Sequence, residues 1–280
     1  MPKFEANPLM APSQMLLRKP SEANAVNAIK QANARLSSGH RLNSAKDDAA
    51  SLAIASALRA QVRSSVVAER NIGDAAGMVQ TASGGLDSVT GIVSRMRELA
   101  TQSSNGALND GDRANIQTEF KSLQDEVGRI QSSTTFNGKQ VLREPAPGGT
   151  TDTFQVGAAS GDTHAVNFAS PDLRDLVAGT NSVATADGAR AALDTLDKSL
   201  KAVSEKQSYF GATLNGFDAT VSNAQTGRLA STSAESRLRD ADVAEEVSNR
   251  ARAQIVDAAK TAVLAHALAS NEHVLQLIKG

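Results

Sequence analysis

The chain has 280 residues, a formal net charge of −1, no cysteine, no tryptophan and only 3% aromatic residues. The lack of cysteine excludes disulfides and thiol chemistry, and nucleic-acid binding has no support because no basic stripe is interleaved with aromatics. So few aromatic side chains favour helices that pack closely through small residues, as in a bundle or a coiled coil.

The amino-terminal segment contains no apolar run long enough for the core of a signal peptide. It carries Pro8, Pro12 and Pro20. A proline inside a helix costs about 3 kcal/mol or more. We therefore expect the first ordered helix to begin near Ser21, with Ser21 as its cap.

A dense polar segment, RLSSGHRLNSAKDDAA at residues 35–50, follows this first helical pattern. Gly39 is predicted to end the helix at the C′ position, and Ser44 with Asp47 is typical of a capping box. We expect Ser44 to cap the next helix and Asp47 and Asp48 to lie in its first turn, where the helix dipole favours negative charge. Adjacent residues point about 100° apart on a helix, so Asp47 and Asp48 are not favoured as a metal or acid pair.

Two long heptad runs predict the seams of a coiled coil, because their apolar steps alternate between three and four residues. The first run is Ile72, Ala75, Val79, Ala82, Leu86, Val89, Val93, Met96 and Ala100. The second run is Leu193, Leu196, Leu200, Val203, Gln207, Phe210, Leu214, Phe217, Val221 and Ala224.

In the middle of the chain the sequence pattern changes from that of helices to that of strands and turns. A shorter helical pattern over Ile116, Phe120, Leu123, Val127 and Ile130 follows the turn and capping residues NDGDR. FNGKQVL then carries an Asn-Gly turn signal, and alternation in DTFQV and HAVNF predicts short strands or hairpins. Residues 142–187 are thus predicted to form a small non-helical insert between two helical halves.

The carboxy-terminal segment is predicted to be a helix with more than one apolar face. Its near-heptad stripe is Val247, Ala251, Ile255, Ala258, Ala262, Ala265 and Ala269, and its second stripe is Val256, Ala259 and Val263. A single amino-terminal helix cannot cover both stripes, so we expect the remaining surface to meet other copies of the chain. Asp257, Lys260 and His266 interrupt the segment, so no membrane span is expected.

Several motifs resemble those of bacterial flagellins. RLSSGHRLNSAKDDAASLAIA at 35–55 resembles the amino-terminal signature, RMRELATQSSNGALNDGDRANIQTEF at 95–120 the next block, and SRLRDADVAEEVSNRARAQI at 236–255 the carboxy-terminal signature. The resemblance implies a mainly α fold: a long antiparallel helical coiled coil formed by the two halves, with a small β-rich insert. It also implies three parts: residues 1–44 with 238–280 as terminal assembly helices, 45–141 with 188–237 as the helical core, and 142–187 as the variable outer insert.

The function implied is that of a non-enzymatic subunit that polymerises into the extracellular flagellar filament for motility. The implied partners are other copies of the chain, an export chaperone, cap proteins and the vertebrate innate receptor for flagellin. Junction proteins between hook and filament share the terminal design, but NSAKDDAA fits flagellin better. The alternative is a cell-surface ligand- or polysaccharide-binding protein on a flagellin scaffold, using basic residues such as Arg190, Lys198 and Lys201.

The family's receptor contact implies a partner-binding site at Arg95, Leu99 and Glu119. The residues themselves leave other interpretations open. Arg95 and Glu119 could simply form a surface ion pair between adjacent helices, and Leu99 could belong to the core or to the filament interface.

No catalytic, cofactor or metal site is predicted. His266 and His273 are seven residues apart, which is too far for a helical ligand pair. TASGGLDS lacks the lysine of a phosphate loop, and its glycines are predicted to permit close helix contact. Asp152 and Asp162 could contribute to a Ca²⁺ site, but such a site needs six to eight oxygens and solvated carboxylates are the favoured interpretation.

Overall fold

The computed structural model describes residues 12–144 and 150–279, without the side chains of 12–23, 268, 271, 272 and 274–279. The elements are α1 (Pro12–Ser38), α2 (Ala49–Ser103), α3 (Asp110–Ser133), β1 (Thr135–Phe136), β2 (Lys139–Gln140), β3 (Thr151–Gln155), β4 (Thr163–Asn167), α4 (Arg174–Val177), α5 (Ala186–Arg239) and α6 (Val243–Lys279). The mainly helical fold with a small β insert is thereby confirmed. No helix within the described residues is both long and apolar enough to cross a membrane.

The chain divides into two compact units. One unit contains Met1–Ala60 and Ala230–Gly280, and within it α1 packs on α6. The other unit is Gln61–Leu229, which contains the main hydrophobic core, the insert and the long paired parts of α2 and α5.

The predicted seam of α2 is confirmed at every position. All nine residues of the first heptad run, from Ile72 to Ala100, are at most 1% exposed. Such a sustained 3.5-residue spacing keeps one stripe of a long helix facing its partners, and here the stripe forms one side of the core.

The seam of α5 agrees with the prediction at alternate positions only. Leu196, Val203, Phe210 and Phe217 are buried, seven residues apart. The other seam positions are the small or polar Ala192, Ser199 and Thr213, whereas the predicted Leu193, Leu200, Leu214 and Val221 are half-buried at the flank of the core. Small or polar side chains occupy these positions, and the leucines cover the edges of the contact.

Helix α3 begins with the predicted capping residues. The side chain of Asn109 accepts a hydrogen bond from the Asp112 N–H at 2.9 Å, and the Asp112 carboxylate accepts one from the Asn109 N–H at 3.5 Å. This reciprocal pair is a capping box. The buried Arg113 then donates to the carbonyls of Ser103, Leu108 and Asn105, and so orders the loop between α2 and α3.

Close approach at the end of α3 depends on one glycine of the TASGGLDS segment. A Cβ atom on Gly85 would lie 3.0 Å from both Leu142 Cδ1 and Thr134 Oγ1, whereas one on Gly84 would meet open space. The glycines were predicted to permit close helix contact; Gly85 instead permits the close approach of Thr134, just after α3, and of Leu142, in the chain that follows β2.

Two antiparallel hairpins follow α3: β1–β2 comes just before the insert, and β3–β4 lies within it. In the first, Asn137 and Gly138 both have positive φ, at 49° and 77°, as a type I′ turn requires. In the second, Phe154 faces His164 and Asp152 faces Val166. Both predicted hairpin signals are confirmed.

The insert docks on α5 through aromatic side chains. Phe168 of the insert lies 5.9 Å from Phe210 of α5, and Phe154 lies 6.5 Å from Phe217. His164 also approaches Phe217, with ring centres 4.9 Å apart. Aromatic pairs at these distances add to the apolar area that they bury, so the scarce aromatics are concentrated where insert and helix meet.

Polar side chains of both long helices bind the edges of β3 and β4. Lys206 donates to the Asn167 carbonyl at 2.8 Å, and the Tyr209 hydroxyl accepts a hydrogen bond from the Asn167 N–H at 3.0 Å. On the other side, Asn71 of α2 donates to the Gln155 carbonyl at 3.1 Å. Burial lowers the pKa of Lys206 to about 8.

Helix α1 starts earlier than predicted. It begins at Pro12 and continues through Pro20, so the expected start near Ser21 is wrong. Pro12 occupies the first helical position, where its missing N–H is one that the helix does not pair in any case. Pro8 lies outside the described residues.

Candidate interaction surfaces

Arg95 and Glu119 form an ion pair on the surface, between α2 and α3. Arg95 donates from Nε and Nη2 to Glu119 Oε1, at 3.0 and 2.8 Å, and from Nη1 to Glu98 Oε2 at 3.0 Å. The hydrogen bond to Glu119, followed by that to Glu98, raises the pKa of Arg95. About half of each side chain of the Arg95–Glu119 pair is exposed, so the pair is accessible to a partner.

Leu99 does not share this surface. It is 2% exposed and belongs to the main core. Of the two positions left open by the sequence, core or filament interface, the structure places it in the core. A partner on this face therefore meets Arg95 and Glu119 directly, with Leu99 packed underneath.

A second ion pair lies on the α5 side of the same segment. Arg97 donates from Nε to Asp197 Oδ1 at 2.7 Å. Met96 lies between the two arginines in the sequence and is buried in the core. The segment RMR thus uses Arg95 to hold α3 and Arg97 to hold α5 against α2.

The apolar stripes of α6 face outward. Every residue of both stripes predicted from the sequence is exposed in the described unit. Ile255 is 68% exposed, and Val263 is 59% exposed. Large exposed apolar side chains in one helix mark an interaction surface.

The face of α6 that turns toward α1 is instead polar. The buried or half-buried positions repeat in heptad steps and are Glu246, Arg250, Ala253, Asp257, Lys260, Leu264 and Ala267. The apolar spacing of α6 points to its outward stripes and not to this seam, although the charged residues already have the right spacing.

The two helix breaks are joined by main-chain hydrogen bonds. The Arg41 N–H donates to the Arg239 carbonyl at 2.6 Å, and the Ala241 N–H donates to the Gly39 carbonyl at 3.0 Å. Gly39 has φ +70°, as predicted for a residue that ends a helix. The polar segment and the residues before α6 thus form a short paired joint.

The prediction that Ser44 caps α2 is wrong. The cap is Asp48, which accepts hydrogen bonds from the N–H groups of Ala50 and Ser51, each at 3.0 Å. A hydrogen bond from the Ser51 hydroxyl, followed by that from the Ser51 N–H, lowers the pKa of Asp48. Ser44 and Asp47 instead close a separate turn, where Asp47 accepts from the Ser44 N–H at 2.9 Å. Asp48 caps the helix because its carboxylate accepts hydrogen bonds from two free N–H groups of the first turn.

The other polar candidates are occupied by protein partners. Asp152 pairs with Lys139 at 2.7 Å and with Arg143 at 2.5 Å, and Asp162 accepts from the Ala159 N–H at 3.1 Å. Within the described chain, no three His, Asp or Glu side chains are grouped so that they could hold a metal ion. His266 and His273 are both exposed.

Two of the three basic residues considered for surface ligand binding have acidic neighbours. Arg190 pairs with Asp187 at 2.6 Å, and Lys201 lies 3.9 Å from Glu205. These contacts describe a solvated helix face. They lend no support to the alternative of a polysaccharide-binding protein.

Comparison with known protein families gives two matches that together cover most of the chain. Residues 13–145 match the bacterial flagellin N-terminal helical region, and residues 193–278 match the bacterial flagellin C-terminal helical region.

Individual proteins are similar over nearly the whole length. A flagellin of Halalkalibacterium halodurans is 40% identical over 258 residues, covering 91% of this chain and 93% of that protein. A flagellin of Bacillus subtilis is 32% identical, covering 88% of this chain and 91% of that protein. The crystal structure of Bacillus cereus flagellin aligns with a TM-score of 0.50 and 32% identity, over 55% of this chain and 88% of that one.

Proposed function

The chain belongs to the bacterial flagellin family, and from that premise we propose that it enters the filament through the exposed apolar face of α6. Members of this family are structural, non-enzymatic subunits of the flagellar filament, which lies outside the cell, and this chain is one of them. Self-polymerisation is therefore its activity, and the proposal concerns the surface that carries it.

The outward orientation of both α6 stripes is the observation that carries this proposal. Val247, Ile255, Val256 and Val263 are each at least 41% exposed. Burial of apolar surface stabilises an assembly by about 25 cal/mol per Å², and ordering of the terminal segments opposes it. A neighbouring copy that covers these stripes would supply the burial that α1 does not.

Removal of both terminal segments tests the proposal. A variant lacking residues 1–44 and 238–280 is expected to remain a folded, helical monomer and to form no filaments under salting conditions in which the full chain polymerises. Electron microscopy and sedimentation of both proteins in parallel give the answer. Filaments formed by the truncated variant would refute the proposal.

We also propose the three-part division of the chain: terminal assembly helices at 1–44 and 238–280, a helical core at 45–141 and 188–237, and an outer insert at 142–187. The helix breaks before α2 and before α6 support the first boundary. The hairpin β3–β4 and the short helix α4, which lie between α3 and α5, support the outer insert. Limited proteolysis of the monomer should therefore cleave first near residues 40–48 and 238–242.

We propose that the Arg95–Glu119 pair contacts the innate flagellin receptor. Its exposure favours recognition through charge and hydrogen bonding. Arg95→Ala and Glu119→Ala should each reduce receptor signalling by purified monomer. Arg97→Ala is the matched control, because Arg97 forms an equivalent ion pair on the α5 side. Equal loss in all three variants would argue against the site.

In this proposal Leu99 contributes only through its packing in the core. Leu99→Ala would leave a cavity under Arg95 and should lower stability by about 2–5 kcal/mol. Any loss of signalling by this variant should follow its loss of folded protein.

An export chaperone and cap proteins are further partners that the family implies. We propose that they bind the terminal segments, since the apolar stripes of α6 are exposed in the monomer. Co-purification from a flagellated strain should recover them with the full chain and not with the variant that lacks both ends.

A further inference from the structure

Three asparagines of the chain stand directly before a glycine: Asn105, Asn137 and Asn215. Asparagine is among the thermolabile residues, and it reacts most readily before glycine because no side chain shields the nitrogen of the next peptide bond. That nitrogen can attack the side-chain amide carbon and expel ammonia. All three asparagine side chains are exposed, so access of water does not distinguish them, and the backbone around each one decides how fast it reacts.

The backbone restrains Asn215 and Asn137. Asn215 lies in the interior of α5, where the main-chain nitrogen of Gly216 takes part in the regular hydrogen bonding of the helix. Asn137 lies in the two-residue turn between β1 and β2, which is closed by the pairing of Phe136 with Lys139. At both sites the peptide bond must leave its ordered conformation before its nitrogen turns toward the side chain, so the free energy of local opening slows the reaction.

Asn105 lies outside regular structure, in the loop between α2 and α3. Its side-chain oxygen Oδ1 accepts a hydrogen bond from the Ala107 N–H at 3.0 Å. This bond closes a ring that contains both the side-chain carbon Cγ of Asn105 and the nitrogen of Gly106, so the side chain is folded back along the peptide bond that would attack it. The Gly106 N–H donates to no other group among the residues that the structure describes.

The hydrogen bond from Ala107 also favours the reaction electronically. When the Gly106 nitrogen bonds to Cγ of Asn105, negative charge develops on Oδ1, to which the Ala107 N–H already donates. A donor that is placed where charge develops lowers the barrier to reaction. A Cβ built on Gly106 would meet open space, so no neighbouring group of the folded chain obstructs this side of the loop.

We propose that Asn105–Gly106 is a site of spontaneous deamidation in the folded chain. The bond between the Gly106 nitrogen and Cγ of Asn105 forms, the bond between Cγ and Nδ2 breaks, and ammonia leaves with the proton of the Gly106 N–H. Water then opens the cyclic imide. Opening at Cγ gives aspartate, whereas opening at the main-chain carbonyl gives isoaspartate, in which the main chain runs through the former side chain.

The two products differ in their effect on the loop. Both add a negative charge, but only isoaspartate lengthens the main chain, by the carbon atom of the former side chain. The buried Arg113 orders this loop by donating to the carbonyls of Asn105 and Leu108, at 2.8 Å each. The aspartate form keeps the spacing of these two acceptors. In the isoaspartate form the main chain between them is longer, so Arg113 cannot hold both in their present positions.

Peptide mapping by mass spectrometry tests the site in the full-length protein. The protein is incubated at neutral pH, folded in one series and in strong denaturant in the other, and the conversion of amide to carboxylate is followed at all three asparagines. Dividing each folded rate by the denatured rate of the same asparagine removes the influence of its sequence neighbours. We expect this ratio at Asn105 to exceed the ratios at Asn137 and Asn215 by about tenfold or more.

Gly106→Ala is the matched variant. The φ of Gly106 lies outside the left-handed region and a Cβ there would meet open space, so alanine should fit without strain while its methyl group hinders the attacking nitrogen. The rate at Asn105 should fall to that of Asn137 or below, and the rate at Asn137 should not change. An unchanged rate at Asn105 in this variant would overturn the mechanism. A ratio at Asn105 no higher than that at Asn215 in the parent would overturn the site.

Melting temperatures test the effect on the loop. Chromatography separates the aged forms, and Asn105→Asp provides the added charge without the longer main chain. Asn105→Asp should melt near the parent. The isoaspartate form should melt about 2–4 °C lower, as expected for the loss of a hydrogen bond to a charged group. Equal melting temperatures of the isoaspartate form and Asn105→Asp would overturn the role given to Arg113.

Discussion

The ammonium nitrogen of Lys206 lies 2.8 Å from the carbonyl oxygen of Asn167, so a side chain of α5 binds the edge of β4. The same nitrogen lies 4.9 Å from the ring centre of Tyr209 and 5.1 Å from that of Phe210. The insert is therefore held to the coiled coil at a point where a charged group is partly removed from water.

This burial predicts a pH dependence of stability. The pKa of Lys206 is about 8 in the folded chain, below its ordinary value of 10.5. Between these two values the unfolded chain binds the proton and the folded chain does not, so the contribution of Lys206 to stability rises as the pH increases from about 8 to 10.5. Below pH 8 both states are protonated and the cost of burial is fully present.

Denaturant unfolding at pH 7.5 and at pH 10 checks this prediction. The stability of the parent relative to Lys206→Met should improve at the higher pH. Lys201→Met is the control, because Lys201 is exposed on the same helix and should show no such change. A parent-to-Lys206→Met difference that is independent of pH would contradict the assignment.

Phe210 is predicted to be a principal stabilising residue. It is fully buried and contacts Phe168 of the insert. Phe210→Ala should lower the free energy of unfolding by about 3–5 kcal/mol, because a large buried side chain leaves a cavity. Leu229→Ala on the same helix, where the leucine is 68% exposed, should change it by no more than about 0.5 kcal/mol. Similar losses in both variants would show that the core does not depend on this aromatic contact.

The capping box of α3 predicts a smaller effect. Asn109→Ala removes the acceptor for the Asp112 N–H and should cost about 1 kcal/mol. Asn109→Ser keeps a capping oxygen and should be nearly neutral, which separates capping from any other role of this position. Thermal or denaturant melts of the three proteins provide the measurement.

Ile255 is predicted to contribute to the stability of the filament and not to that of the monomer. Ile255→Glu removes an exposed apolar side chain and should weaken subunit association by about 2 kcal/mol, which raises the critical concentration for polymerisation about 30-fold. Gln254→Glu adds the same charge at the neighbouring exposed position and should polymerise nearly as the parent does. Helix content by circular dichroism should be the same in both. Equal polymerisation by the two variants would show that the stripe is not part of the interface between subunits.

Sequence patterns predicted the helical framework well where apolar residues dominate. The seam of α2 could be identified residue by residue because each position is apolar and most of its sequence neighbours are polar or glycine. In α5 a leucine stands next to a smaller residue at several seam positions, and Ala192 is buried where Leu193 had been expected. Hydrophobicity ranks leucine first, whereas the side of α5 on which a residue lies decides whether it is buried.

Two other features could not be predicted from the spacing of apolar residues. Asp47 and Asp48 are chemically the same, and only the path of the chain decides that Asp48 caps α2. The second feature is the face of α6 that packs against α1. A helix with apolar residues on several sides does not reveal this in isolation, and the heptad of charges beginning at Glu246 was the available signal.

Tyr209, which binds the edge of β4, is the only tyrosine, and the chain has no tryptophan. The near-ultraviolet absorption and intrinsic fluorescence of the whole protein therefore come chiefly from one ring. That ring stands where the insert meets α5 and where its hydroxyl accepts the Asn167 N–H. Release of the insert, whether by denaturant, heat or a bound partner, thus becomes an optical signal from the unlabelled molecule, resolved to a single site.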